Sequence, residues 1–249
     1  GVYWLKFLAA NSLAGIIADE MGLGKTLQAL AFLRSLGGRA LIVCPSSLVF
    51  NWVREATRFT PERKVLVITG EGRAKLFGPP MEEANLVITS YPLLRRDIER
   101  YRDWEFDAAV LDEAQHIKNP ESQNAKSACA LRAASRFILT GTPIENSVRD
   151  LWSLFEFLLP GYLGTRGDFK DRYEAPLLAV AGGEIWARLS RRIGSYLLRR
   201  RKQDVLTDLP DKIEQVLEVE LTDQQRATYA KLQEAARAQI DQLRDHGQA

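Results

Sequence analysis

Six short apolar runs recur through the first 140 positions: "AGIIA" (14–18), "RALIVC" (39–44), "KVLVIT" (64–69), "NLVITS" (85–90), "DAAVL" (107–111) and "RFILT" (136–140). They are rich in β-branched residues and nearly continuous rather than alternating, so they predict strands covered on both faces. Between them lie helical patterns such as "KTLQALAFLRSL". Strands and helices in alternation predict an α/β fold built on a parallel sheet flanked by helices.

After about Val148 the strands are expected to stop. "VRDLWSLFEFLL", "GDFKDRYEAPL" and "GEIWARLSRRIGSYLLRR" all read as helices, which places a boundary near residue 147. The expected organisation is an α/β lobe over 1–147, a helical extension over 148–211, and a final segment over 212–249. That last segment opens with the alternating "KIEQVLEVEL" (212–221) and continues as a long helix from about Thr222, its expected N-cap, with no evident partner in the chain. No internal repeat or low-complexity tract is present.

Composition changes this picture little. A chain of 249 residues with 46% hydrophobic and 27% charged positions can bury a substantial core. Its formal net charge of +2, from 34 basic and 32 acidic residues, makes no claim on nucleic acid or membrane, so any such claim needs local clustering. Cys44 and Cys129 lack metal-ligand spacing and read as reduced thiols in the core. The most apolar run, "LWSLFEFLLP" (151–160), carries Glu156 and is too short to span a bilayer; it reads as a buried helix stopped by Pro160-Gly161.

The first chemistry lies in "ADEMGLGKT" (18–26), between a predicted strand and a predicted helix. The phosphate-loop pattern G-x-x-x-x-G-K-[ST] is met at its end, but Asp19 stands where the first glycine belongs. In this setting backbone N–H groups from Gly22 to Thr26 converge on phosphate oxygens at a helix N-terminus. Lys25 reaches the β and γ phosphates, and the Thr26 hydroxyl ligates Mg²⁺. A helix that merely begins with Gly-Lys-Thr is the competing reading, and the strand and helix on either side count against it.

A second strand ends in Asp112-Glu113, at the edge where parallel sheets bind ligands. Asp112 is suited to hold Mg²⁺ through water and Glu113 to polarise the attacking water. A third strand runs into Thr140, Gly141 and Thr142, which either sense the γ-phosphate or form an ordinary turn; the residues alone do not choose between the two.

These words in this order resemble helicase superfamily 2 and, within it, the Swi/Snf-related double-stranded-DNA translocases. "DEMGLGKT" resembles that family's first motif, "LIVCPSSLVFNW" its motif Ia, "VITSYPLL" the next, "DEAQHIKN" its Walker B variant and "LTGTPIEN" its motif III. "LLRRRKQDVLTDLPDKIE" resembles the exit from its first lobe. The resemblance implies a RecA-like lobe of the P-loop NTPase class that binds ATP and Mg²⁺ and grips double-stranded DNA by its backbone. It implies a nucleotide site at Met21, Gly22, Leu23, Gly24, Lys25 and Thr26, metal held by Thr26 and Asp112, and catalysis by Lys25 and Glu113. Coupling falls to Gln115, Thr140, Gly141 and Thr142. Gln115 stands where the family often has His, which points to a prokaryotic member and leaves open how the site communicates with an opposite lobe.

The family's adenine-recognising glutamine segment would precede "GVYWLKFL". Its second RecA-like lobe, with the arginine fingers, would follow Ala249, so half an active site is expected here. The compartment expected is the cytoplasm, with nucleoid association in a prokaryote, or the nucleus in a eukaryote.

Candidate DNA contacts are Ser46, Ser47 and Asn51 at one helix start, Thr89 and Ser90 at another, and Arg95 and Arg96 in a basic cluster with Arg100 and Arg102. A second cluster runs from Arg188 to Lys202 without an acidic residue. A solvated face or a docking surface for the second lobe explains either cluster as well. The five tryptophans read as core rather than base-stacking platforms. Two other functions stay open on sequence: a nucleotide-gated module that binds a protein partner, and a strand-separating helicase of the same superfamily.

Overall fold

The computed structural model describes residues 1–141, 148–179, 183–205 and 219–245. By contact it divides into one unit over Gly1–Thr207 and a second over Asp208–Ala249.

The first unit is built on a seven-stranded sheet in the order β3-β4-β2-β5-β6-β1-β7. Its strands are β1 (Gly15–Ile17), β2 (Ala40–Cys44), β3 (Val65–Val67), β4 (Leu86–Ser90), β5 (Glu105–Asp112), β6 (Arg132–Leu139) and β7 (Leu197–Leu198), and all pairings are parallel. The helices of the α/β part are α1 (Val2–Ala10), α2 (Lys25–Leu36), α3 (Val49–Phe59), α4 (Pro79–Glu83), α5 (Tyr91–Tyr101) and α6 (Gln123–Cys129). After them come α7 (Val148–Leu158), α8 (Arg166–Phe169), α9 (Ala175–Ala179), α10 (Gly183–Ile193) and α11 (Lys202–Val205).

The continuous apolar runs are explained by two cores, because successive side chains along a strand point to opposite faces. Ile16, Leu41, Val43, Val87, Leu111 and Ile138 face one cluster, closed by α5, α6, α7 and α10 through residues such as Tyr91, Leu94, Phe155 and Leu189. Ile17, Ile42, Cys44, Ile88, Val110 and Leu139 face the other, closed by α1, α2 and α3 through Leu5, Leu8, Leu30, Phe32 and Trp52. Cys44 is buried and Cys129 half-buried, both as free thiols.

One expectation is corrected. Strands do not stop after Val148: Leu197–Leu198 pairs in parallel with Ile16–Ile17 as the sheet's edge strand. Two half-buried leucines inside a basic run carry too little periodicity to be seen, and only the pairing with β1 makes them a strand. "LWSLFEFLLP" is the buried α7, as expected, with Leu151, Leu154, Phe155 and Phe157 in the same core as the sheet.

In the second unit, α12 (Asp223–Asp245) begins as expected: Thr222 Oγ1 accepts from the Gln225 N–H at 3.3 Å, and the Gln225 side chain accepts from the Thr222 N–H at 3.0 Å. "KIEQVLEVEL" lies mostly outside the described residues.

Candidate functional site

Register alone gathers the candidate motifs. Leu198 pairs with Ile17, Ile17 with Leu139, and Leu139 with Asp112, so four strands end in one row. The residues that follow emerge together at the C-terminal edge, where open parallel sheets bind ligands.

The glycine loop has the backbone its sequence requires. Gly22 (φ 92°) and Gly24 (φ 71°) both lie in the left-handed region, which a side chain would strain, and α2 starts at Lys25. Lys25 Nζ donates to the Asp19 carbonyl at 2.8 Å. Gln28, one turn into α2, reaches back and donates to the Leu23 carbonyl at 2.9 Å. The loop is thereby closed from both ends.

Asp112 is buried. Its Oδ2 accepts the indole N–H of Trp52 at 2.8 Å, and its Oδ1 accepts the Glu113 N–H at 3.0 Å. Burial pushes the Asp112 carboxyl up to about 6, and the neighbouring Glu113 charge adds to this, while the Trp52 hydrogen bond and Lys25 pull the other way. The Tyr91 hydroxyl donates to the Asp112 carbonyl at 2.8 Å, and the Tyr91 ring stacks on the exposed His116 with centroids 4.7 Å apart. Glu113 itself stands at φ 50°, ψ 58°, a left-handed conformation that a side chain adopts at a cost. With its amide nitrogen turned toward Glu113, Gln115 donates to Oε2 at 3.0 Å and to the carbonyl at 3.2 Å.

Thr140 is buried, its N–H bonded to the Ile17 carbonyl at 3.0 Å. Gly141 lies against Met21: a Cβ placed there would sit 3.5 Å from Met21 Cγ. The third motif therefore begins beside the glycine loop, while Thr142 lies outside the described residues.

The candidate DNA residues separate into two groups. Ser46, Ser90 and Arg96 line one cavity of about 320 Å³ together with Phe50, Thr69 and Arg73. Arg73 is held there by a buried ion pair with Asp97. Ser47 and Arg95 are exposed but do not line it. Asn51 is occupied by its own helix, donating to Glu55 at 3.2 Å and accepting from Arg54 at 2.5 Å. Thr89 is fully buried, its hydroxyl donating to the Ile68 carbonyl at 3.2 Å.

The second basic cluster divides too. Arg188 and Arg192 share a cavity with Arg172 and Tyr173, whereas Arg200 turns inward onto the buried Asp19. Of the tryptophans, Trp52 is fully buried but Trp186 is 38% exposed, so not all five are core.

Sequence reasoning missed Trp52 as a partner of Asp112 and Arg200 as a partner of Asp19. In both cases the contacting residues are far apart in the chain, 60 and 181 positions, and no local pattern joins them.

A parallel sheet with a glycine loop after β1 and an acidic pair after β5 defines a RecA-like nucleotide-binding lobe. The chain belongs to the SNF2-related domain family, which it matches over residues 1–248. It is 39% identical over 258 residues to TATA-binding protein-associated factor MOT1 of Saccharomyces cerevisiae, which covers 92% of this chain and 14% of that protein. It is 36% identical over 242 residues to the putative ATP-dependent helicase/translocase YwqA of Bacillus subtilis, covering 93% and 26% respectively. Among solved structures, the Sulfolobus solfataricus SWI2/SNF2 ATPase core in complex with dsDNA matches with a TM-score of 0.76 and 36% identity, over 97% of this chain and 52% of that one. The chain thus spans only part of the length of each.

Proposed function

We propose that this chain is the ATP-binding first lobe of an ATP-driven double-stranded-DNA translocase, hydrolysing ATP with Mg²⁺ once a second RecA-like lobe completes the site. The observation that carries this reading is the convergence of Lys25, Thr26, Asp112 and Glu113 at one edge of the sheet, through the register of β1, β6 and β5. The similarity to a core structure bound to dsDNA supports the choice of polymer.

The residues suit Mg²⁺. Asp112 is a buried carboxylate, raised to about 6 chiefly by that burial, and Thr26 lies in the first turn of α2 beside the loop. Among the described residues no group of three or more His, Cys, Asp or Glu could hold a metal. That fits an ion held by one or two hard oxygens with phosphates and water, not one caged by protein ligands. When bound, Mg²⁺ neutralises charge on the β and γ phosphates.

In this reading the loop N–H groups and the Lys25 ammonium bind and orient the phosphates. Asp112 and Thr26 would hold the metal, and Glu113 would take the proton of the attacking water. Gln115, Thr140, Gly141 and Thr142 relay the state of the γ-phosphate. Ser46 and Arg96, both exposed, hold a DNA strand by its phosphates, which positions the lobe without reading sequence; Ser90, like Thr89, is buried. The lobe is built from the first 147 residues together with the edge strand Leu197–Leu198, the rest of 148–211 is its helical extension, and 212–249 starts the connection to the second lobe.

Lys25→Ala tests the site. It should abolish binding of a fluorescent ATP analogue with Mg²⁺, and turnover should stay low until the second lobe is supplied. Strong DNA-stimulated hydrolysis by the 249-residue chain alone would sink the half-site reading.

A further inference from the structure

Asp19 is fully buried, yet the hydrolysis reading gives it no role. It occupies the place where a phosphate loop ordinarily has its first glycine. A buried carboxylate is costly unless it is paired and hydrogen-bonded. Asp19 is bound on every side. Its Oδ1 accepts the Arg200 backbone N–H at 3.1 Å and Arg200 Nε at 3.1 Å, and its Oδ2 accepts Arg200 Nη2 and Gln28 Nε2, the latter at 3.2 Å. Arg200 Nη2 also donates to Gln28 Oε1 at 2.8 Å. Burial pushes the Asp19 carboxyl up, but these hydrogen bonds outweigh it and hold the group below the usual carboxylate range.

The main chains run together as well. The Ala18 N–H donates to the Leu198 carbonyl at 2.7 Å and the Glu20 N–H to the Arg200 carbonyl at 3.0 Å, while Glu20 Oε2 accepts the Lys202 N–H at 2.7 Å. The Lys202 side chain crosses the glycine loop: a Cβ on Gly22 would lie 3.2 Å from Lys202 Cε. Segment 197–202 is the back of the loop.

Two carbonyls that shape the phosphate site hang from this clamp. One is that of Asp19, which holds the Lys25 ammonium at 2.8 Å; the other is that of Leu23, held by Gln28 at 2.9 Å. We infer that Arg200 is a positioning residue for nucleotide binding, fixing Lys25 through Asp19 and the glycine loop through Gln28. Segment 197–202 thereby belongs to the phosphate cradle and responds to its occupant. This rests on Met21–Thr26 being the nucleotide site.

The test uses the 249-residue chain, a fluorescent ATP analogue with Mg²⁺, and the variants Arg200→Ala, Arg200→Lys and Arg132→Ala. Arg132 is exposed, opens β6 at the far end of the sheet from the glycine loop, and supplies the control for a lost charge. Arg200→Ala should weaken binding by roughly tenfold, the scale of an outer-shell positioning partner, and Arg132→Ala should leave it unchanged. Arg200→Lys keeps the charge but cannot span both Asp19 oxygens and Gln28, so its affinity should fall between.

Hydrogen exchange adds a readout that mere stability would not move. Nucleotide should slow exchange at the Glu20 and Lys202 amides in the unmodified chain and much less in Arg200→Lys. Should Arg200→Ala fail to fold, Arg200→Lys decides. Unmodified affinity and protection in Arg200→Lys, or equal losses in Arg200→Ala and Arg132→Ala, would overturn the inference. No nucleotide binding by the unmodified chain would overturn the site reading instead.

Discussion

The indole N–H of Trp52, on α3, donates to Asp112 Oδ2, at the end of β5, across 2.8 Å, and both side chains are buried. The helix that carries Trp52 begins beside Ser46 and Phe50 in the candidate DNA cavity. The Asp112 carboxylate is therefore held by the same helix that lines this cavity.

Trp52→Phe keeps most of the ring volume and removes the donor. The Asp112 carboxyl, already raised to about 6 by burial, should rise further. If Asp112 holds Mg²⁺ as proposed, only its carboxylate form would do so; Mg²⁺-dependent nucleotide binding should then be lost as pH falls through that value, and the loss should begin at higher pH in the variant. Titrating Mg²⁺ at pH 6 and pH 8 checks this. The variant should need several-fold more Mg²⁺ at pH 6, with a smaller difference at pH 8.

Asp19→Asn should destabilise the nucleotide-free chain by about 3 kcal/mol at pH 7, since it breaks a buried ion pair and turns an amide N–H₂ toward Arg200 donors. The native carboxyl is held below its unfolded value, so its contribution is present above about pH 4 and vanishes as pH falls through the folded value. The gap between the melting temperatures of the unmodified and variant chains should therefore be flat from pH 8 to 5 and narrow below pH 4.

Glu113→Gln should leave Mg²⁺-ATP binding within about twofold and reduce turnover by at least about 100-fold, as expected for loss of a general base. The measurement is made on the lobe joined to the second RecA-like lobe proposed above, with duplex DNA present. Equal turnover in variant and parent would remove Glu113 from the chemistry.

Arg96→Ala should weaken affinity for duplex DNA across all sequences and lower the slope of log affinity against log salt by about 1, because a phosphate contact releases a counterion. Asn51→Ala should change affinity much less, since Asn51 is engaged with Glu55 and Arg54. A salt-insensitive interaction with protein, and none with DNA, would favour the partner-binding module instead.

What the sequence determined by itself was everything that depends on near neighbours. Doubly buried strands show as unbroken β-branched runs because both faces of a parallel sheet are covered. The loop from Met21 to Thr26 shows because glycine is the residue that tolerates φ 92° and φ 71° at Gly22 and Gly24. The acidic pair shows because it ends a strand. Tertiary structure alone decided which distant residues complete these features. Leu197 and Leu198 became a strand only by pairing with β1, Trp52 became more than core only through Asp112, and Asp19 acquired its reason only from Arg200. A buried carboxylate must find its donors wherever packing brings them, and hydrogen bonds between residues far apart in the chain leave no periodicity for the eye to follow.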